Sequence, residues 1–169
     1  MTVESRLVNP EVLRSLYGSV PDLSRVVVRS VNLNPSGPTV TLRVDLPSFP
    51  KGFPEGAPRE WLDAGIDTVQ CQLAFLDVTE ISLTRWDPPT TGDVRMEPYG
   101  DERRMRVVVE GSGVEMEFEC HEFATLSHVS AFKARPDGTD SGPHHYVSKV
   151  DARLYQSLPT TEEYTFYGR

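Results

Sequence analysis

Apolar and polar residues alternate along most of this chain, most regularly on the two sides of a proline-rich segment at residues 47–58. A period of two is that of an extended strand with one buried and one solvated face. The two apolar sets are Val40, Leu42, Val44 and Leu46 in the first strand, and Val69, Cys71, Leu73 and Phe75 in the second. Because proline removes a backbone donor that a sheet needs, we predict two half-buried strands joined by an irregular segment.

The same alternation recurs before and after these two strands, and turn residues separate the patterns. Further strands are predicted over residues 26–33, 78–86, 94–98, 105–109, 114–120 and 123–133. Turn residues at 34–37 and 111–113 predict hairpins, and the lack of any linker after Asp77 predicts an abrupt bend there.

One short helix is predicted near the N-terminus, with Asn9 as its N-cap, Pro10 at its first position and Gly18 at its end. No alternation of strands with longer helices follows it. The predicted fold class is therefore mainly β (all-β or α+β), an antiparallel β-sandwich or partly closed β-roll with one short N-terminal helix.

The 169 residues are enough for one domain with its own core. We expect residues 1–133 to form a single antiparallel β domain, and residues 134–169 to be a linker plus a C-terminal extension. Glycine, proline, serine and aspartate dominate residues 135–143, and the next residues, His144 and His145, are expected to be exposed. The last part is rich in tyrosine and phenylalanine, so we expect it to pack on the same domain.

The charge balance narrows the choice of partners. The formal net charge is −8, which is unfavourable for binding DNA or RNA because phosphate contacts dominate that affinity. The same charge speeds association with a basic protein. The sequence contains neither a membrane-spanning apolar run nor a signal-like N-terminus, so a cytoplasmic location and no membrane partner are expected.

The sequence lacks the common catalytic motifs, so we predict that the protein is not an enzyme. The chain has no Gly-x-Ser-x-Gly elbow and no glycine-rich phosphate loop. His121 and Glu122 resemble the start of a zinc-protease motif, but Thr125 stands where the second histidine would be. We therefore predict no catalytic residues, no metal site and no cofactor.

The candidate binding residues lie on two predicted strands. Glu115, Glu117 and Glu119 occupy the outward phase of one strand, which is either a solubilising, edge-protecting face or a complement to a basic partner. Arg85 and Trp86 end another strand beside a proline loop, and tryptophan and arginine are enriched at binding hot spots. These five residues are the predicted partner-binding set.

Several short motifs, in order along the chain, resemble the immunity protein 50 family of bacterial polymorphic toxin systems. They are Asn9-Pro10, Leu16-Tyr17-Gly18, Pro21 with Leu23, Gly37-Pro38, Val40, Leu42-Arg43, Asp45-Leu46-Pro47, Phe49-Pro50, Trp61, Gly65, Asp67-Thr68-Val69-Gln70, Gln72-Leu73, Phe75, Trp86 and Val129-Ser130-Ala131-Phe132. The resemblance covers roughly residues 7–133.

This resemblance implies a cytoplasmic antidote that binds and neutralises a cognate toxin domain, and it carries over no catalytic residue. The expected mode of action is stoichiometric protein–protein occlusion. The oligomeric state stays open, and two alternative functions remain. A small-molecule-binding β-barrel predicts an apolar interior cavity, and an uncharacterised hydrolase predicts a buried histidine or carboxylate in a cleft.

Overall fold

The computed structural model describes residues 2–51, 61, 64–101 and 103–154 of the chain. In this part, nine strands form one sheet, with a 3₁₀ helix and two short α-helices beside it. The strands are β1 (Val26–Asn34), β2 (Thr39–Asp45), β3 (Thr68–Phe75), β4 (Thr79–Trp86), β5 (Thr90–Pro98), β6 (Arg104–Gly111), β7 (Val114–His121), β8 (Ala124–Phe132) and β9 (His145–Tyr146). The helices are the 3₁₀ helix Val3–Arg6, α1 (Glu11–Tyr17) and α2 (Lys149–Leu154).

The sheet order is β4-β7-β6-β5-β1-β2-β3-β8-β9, and every strand pair is antiparallel. The sheet bends so that its two halves face each other. The bend is evident from the rings of Phe75 in β3 and Phe118 in β7, which meet edge to face with centroids 5.2 Å apart. Its two edges, β4 and β9, do not pair with each other. The predicted fold class, mainly β and antiparallel, is confirmed, and the sheet is not closed.

The core lies between the two halves and consists of the residues that the alternation placed inside. Phe75, Phe118, Val26 and Met105 are all fully buried. Cys71 and Cys120 are free thiols within this core, as expected for small apolar residues. Burial raises the pKa of each thiol to about 12, with Asp45 adding to the rise at Cys71 and Arg104 opposing it at Cys120.

The predicted hairpins are present, but the N-terminal helix begins differently from the prediction. α1 ends at Gly18, whose left-handed φ of 80° lets its N–H donate to the Arg14 carbonyl. Asn9 is not its N-cap. Instead, the Asn9 amide donates to the Leu126 carbonyl at 2.8 Å and its Oδ1 accepts from the Leu126 N–H at 2.9 Å. Asn9 therefore ties the N-terminal segment to β8, which is a role that its sequence neighbours do not reveal.

The predicted bend after β3 determines where β4 lies. Asp77 adopts a left-handed φ of 53°, which aspartate tolerates better than most residues. The chain then crosses from β3 to the far edge of the other half, where β4 pairs with β7. A connection of three residues between β3 and β4 thus places β4 at an edge.

Part of the sequence interpretation lies outside the described residues. This applies to most of the proline-rich segment and to the aromatic residues from position 155 onward. The division into a domain over residues 1–133 and an extension over 134–169 stays a prediction. Within the described residues, no helix is long and apolar enough to cross a membrane.

The contact between the two halves predicts a measurable energetic coupling. Phe75→Ala and Phe118→Ala should each lower the free energy of unfolding by about 3–5 kcal/mol, because each leaves a cavity in the core. The double variant should lose less than the sum, by about 0.5–1.5 kcal/mol, because the two rings contact each other. Urea unfolding of the single and double variants measures this. Phe123→Ala is the control, since that ring is 37% exposed; strict additivity of the core variants would contradict the packing.

Candidate partner-binding surface

The strand β4 forms an open edge of the sheet. All eight of its residues are exposed, and in the described part of the chain β7 is its one neighbour in the sheet. We call β4 together with Glu115, Glu117 and Glu119 of β7 the edge surface. A strand edge of this kind leaves a row of backbone N–H and C=O groups available to another chain.

The register between β4 and β7 brings the predicted binding residues together. Arg85 lies opposite Glu115, and Trp86 lies opposite Val114. Thr79 and Ser82 of β4 lie opposite the other two glutamates in the same register. The sequence predicted the outward phase of the glutamates, and their exposure pattern agrees with it. Sequence alone did not predict that Arg85 and Trp86 would be their neighbours. The assignment of the five residues to a binding site stays a prediction.

A second row on β4 is apolar. Leu83 lies opposite the buried Met116, and residues opposite each other in a sheet share a face. Leu83 and Trp86 therefore face the core side of the sheet, yet they are 42% and 39% exposed. Ile81 on the same strand is 43% exposed. Sequence analysis missed Ile81 and Leu83 as surface residues, because alternation predicts a buried apolar face and does not identify an edge strand.

Arginines interleave with the carboxylates on the outer face. Arg85 Nη2 lies 3.8 Å from Glu115 Oε2, and both side chains are more than half exposed. Arg106 of β6 reaches both remaining glutamates, with Nε 3.2 Å from Glu117 and Nη2 3.5 Å from Glu119. Desolvation lowers the pKa of Arg106, but Glu117, Tyr99 and Glu119 outweigh it, so the net shift is upward. Three carboxylates thus share two guanidinium groups, and the row keeps an excess of negative charge.

A tight turn fixes the end of β4 that carries Trp86. The β6–β7 turn ends at Gly113, whose N–H donates to Thr90 Oγ1 and whose carbonyl accepts the Asp87 N–H at 2.7 Å. A Cβ on Gly113 would lie 2.7 Å from Thr90 Oγ1 and 2.8 Å from the Asp87 carbonyl oxygen. Only glycine fits this close approach, and through it the residue after Trp86 is held against β7.

A separate polar network lies on the outer face of the other half of the sheet. Asp45 accepts from Arg29 at 2.7 and 2.9 Å, and both side chains are more than nine-tenths buried. The Gln70 amide lies 2.8 Å from Asp45 and 2.8 Å from Asp140. Asp140 belongs to residues 134–144, which we call the strap. Burial acts to raise the pKa of Asp140, but the hydrogen bond from Gln70 and the charges of Arg43 and Arg29 have a larger, opposite effect. The pKa of Asp140 is therefore lowered, and its carboxylate stays charged.

The strap ends at His144, which is buried and not exposed as expected. Its ring stacks on Phe132 with centroids 4.6 Å apart. The ring Nε2 lies 2.8 Å from the Asp140 carbonyl oxygen and therefore donates to it, so Nδ1 accepts from Ser130 Oγ at 2.9 Å. Burial lowers the pKa of His144, which favours this neutral form.

The Ser130–His144 pair resembles a nucleophile and its base, but its geometry indicates a structural role. Ser130 is fully buried, and the group behind His144 is a backbone carbonyl, whereas a catalytic triad has a carboxylate there. A substrate cannot reach the hydroxyl while the strap lies over it. The pair therefore does not support the hydrolase alternative.

The alternative of a small-molecule-binding barrel gains no support either. The sheet is not closed. A groove of about 300 Å³ opens at the surface beside the strap, lined by residues that include Ile66, Lys133, Arg135 and Pro143. In the described ranges, no three histidine, cysteine or acidic side chains are grouped as metal ligands would be.

An open edge strand with an apolar row and a charged row is typical of a domain that binds another protein. The family model of Immunity protein 50 matches residues 9–131, and the chain belongs to that family. This confirms the resemblance carried by the sequence motifs. No curated protein and no solved structure matches the chain. The edge surface lies inside the matched range, whereas the strap lies outside it.

The buried network predicts a large difference between two ion pairs. Asp45→Asn should lower the free energy of unfolding by about 3 kcal/mol or more, because the Arg29 charge is left buried without its partner. The matched control is Glu110→Gln, which breaks the exposed Arg95–Glu110 pair at 2.9 Å and should cost less than about 1 kcal/mol. Urea unfolding of both variants at neutral pH makes the comparison. Equal losses would contradict the role given to the network.

Proposed function

We propose that this protein is a cytoplasmic immunity protein that binds a cognate bacterial toxin domain and neutralises it by one-to-one occlusion. The observation that carries the proposal is the edge surface of a chain that belongs to an immunity family. An apolar row of this kind supplies affinity when it is buried, and the adjacent charges supply orientation and rate. The net charge of −8 favours a basic toxin domain.

The proposal also assigns a non-enzymatic mode of action. The buried pair Ser130–His144 holds the strap to the sheet, which is a structural role. Neutralisation by occlusion needs one molecule of antidote per molecule of toxin. An enzyme that modified the toxin would act at far lower ratios, and this difference can be measured.

The direct test starts from the expectation that a gene upstream of this one encodes a secreted protein with a C-terminal toxin domain. Expression of that domain should arrest growth, and co-expression of the full-length protein described here should restore it. When the purified toxin domain is titrated with this protein, inhibition of the domain's activity should become complete at one molar equivalent. A neighbourhood that encodes no such domain, the absence of a complex, or full inhibition at a small fraction of an equivalent would each contradict the proposal.

The charged row predicts how fast the two proteins associate. Replacing Glu115, Glu117 and Glu119 by lysine should slow association with a basic toxin domain by about tenfold or more at low salt. Added salt should slow association of the wild type but speed that of the variant, because screening weakens attraction in one and repulsion in the other. Stopped-flow mixing over a range of salt concentrations measures both effects.

The control for this experiment makes the same change of charge elsewhere. Glu11, Asp22 and Asp101 are exposed and lie outside β4 and β7. Their replacement by lysine changes the total charge equally but leaves the edge surface intact. If both triple variants associate at the same rate, net charge alone governs the encounter and the row has no special role.

A further inference from the structure

The two edges of the sheet end in different ways. At one edge, β9 has only two residues, and α2 packs against it. At the other edge, β4 runs for eight residues and all of them are exposed. Natural sheets usually shorten or cover an edge, because its unpaired backbone groups recruit other strands. The long open edge is therefore the place where the structure leaves room for an additional strand.

The arrangement of β4 restricts what can cover it. A partner that buries Leu83 and Trp86 also removes water from the free edge of the same strand. Each backbone N–H or C=O that loses water without gaining a hydrogen bond destabilises the complex. An extended strand is the element that offers donors and acceptors along such an edge. A helix placed there would cover the apolar row but leave the backbone groups unpaired.

Resting on the proposed function, we infer that the toxin domain contributes an extended segment that pairs with the free edge of β4. The inference deepens that proposal by assigning the kind of contact. Side chains of the added strand alternate between the two faces of the sheet. Apolar side chains on one face meet Leu83 and Trp86. Lysine or arginine on the other face points across β4 toward Glu115 and Glu117 of β7, which lie two strands away and are 59% and 49% exposed.

Two irregularities in β4 make this edge selective. The register with β7 shifts between Thr79 and Ser82 and again between Leu83 and Arg85. Within the first shift, Glu80 has a left-handed φ of 50°. Bulges increase the local twist of a strand, so a flat strand does not pair evenly along it. A second copy of this chain is disfavoured as the occupant, since each copy carries a formal net charge of −8.

Amide hydrogen exchange of the full-length protein, free and saturated with the upstream-encoded toxin domain, tests the inference. In the complex, exchange of β4 amides should slow by about tenfold or more, because the added strand pairs with them. Exchange in β9 should not change. Isotope-filtered NMR on the same complex should show contacts between backbone protons of β4 and those of the toxin domain, which side-chain docking alone does not produce.

A substitution at the edge provides a second measurement. Leu83→Lys places a charge on the core-side row, a device that natural edge strands use against pairing. Since Leu83 is already 42% exposed, the fold should tolerate the change. Affinity for the toxin domain should fall about 30-fold or more, as for a binding hot spot. Leu33→Lys in β1 makes the same chemical change at a residue that is 54% exposed, and its affinity should stay within about threefold of wild type.

The possible outcomes separate the inference from the proposed function. Protection of β4 with intermolecular backbone contacts supports both. A one-to-one neutralising complex in which β4 amides exchange as in the free protein overturns the inference and leaves the proposed function standing. Protection of β4 that depends on the concentration of this protein alone identifies a second copy as the occupant and overturns the inference. Absence of any complex overturns the proposed function, and the inference with it.

Discussion

The packing of β7 against β3 across the core is the constraint on which the rest of the structure depends. The Phe75–Phe118 contact brings the two halves of one sheet face to face, so a single sheet supplies both walls of its own core. The chain leaves β3 and reaches β4 through three residues, and at that point it must cross from one wall to the other. Because β6 already occupies one side of β7, β4 takes the other side and becomes an edge.

The polar network under the strap has a different physical role from the apolar core. Burying Arg29 and Asp45 costs solvation energy, and an ion pair of this kind is weak evidence for extra stability. The network instead fixes the position of the strap on the sheet. The strap has few apolar side chains to bury, so the hydrogen bonds that Asp140 accepts from Gln70 and His144 accepts from Ser130 determine where it lies. The specificity of these bonds replaces the area that a larger apolar segment would have buried.

The sequence predicted those features that depend on local pattern. Alternation located β1 to β8, although β5 begins earlier than predicted, and the hairpin between β1 and β2 followed from residues 34–37. The order of the strands could not be predicted, because the pairing of Arg85 with Glu115 joins residues that are far apart in sequence. The burial of His144 could not be predicted from the sequence for a related reason. Residues rich in glycine, proline and aspartate predict a linker, whether they remain free or fold back so that His144 is held by Ser130 of the preceding strand.

The candidate site shows the same limit. The outward phase of Glu115, Glu117 and Glu119 is a consequence of a period of two, which any reader of the sequence can count. That Arg106 lies among them depends on the pairing of β6 with β7. The exposure of Leu83 depends on β4 being an edge, which is a property of the whole sheet and of no single strand.

The apolar row of β4 and the glutamates of β7 beside it have opposite effects on the free protein, and both bear on the proposed function. An exposed strand with Ile81, Leu83 and Trp86 on its surface is an aggregation hazard. Carboxylates beside that strand, its two bulges and the net charge of −8 oppose contact between copies. A basic partner reverses the sign of the electrostatic term while keeping the apolar gain. The features that oppose contact between copies of the free protein are therefore those that, under the proposed function, would favour a basic toxin domain as the partner.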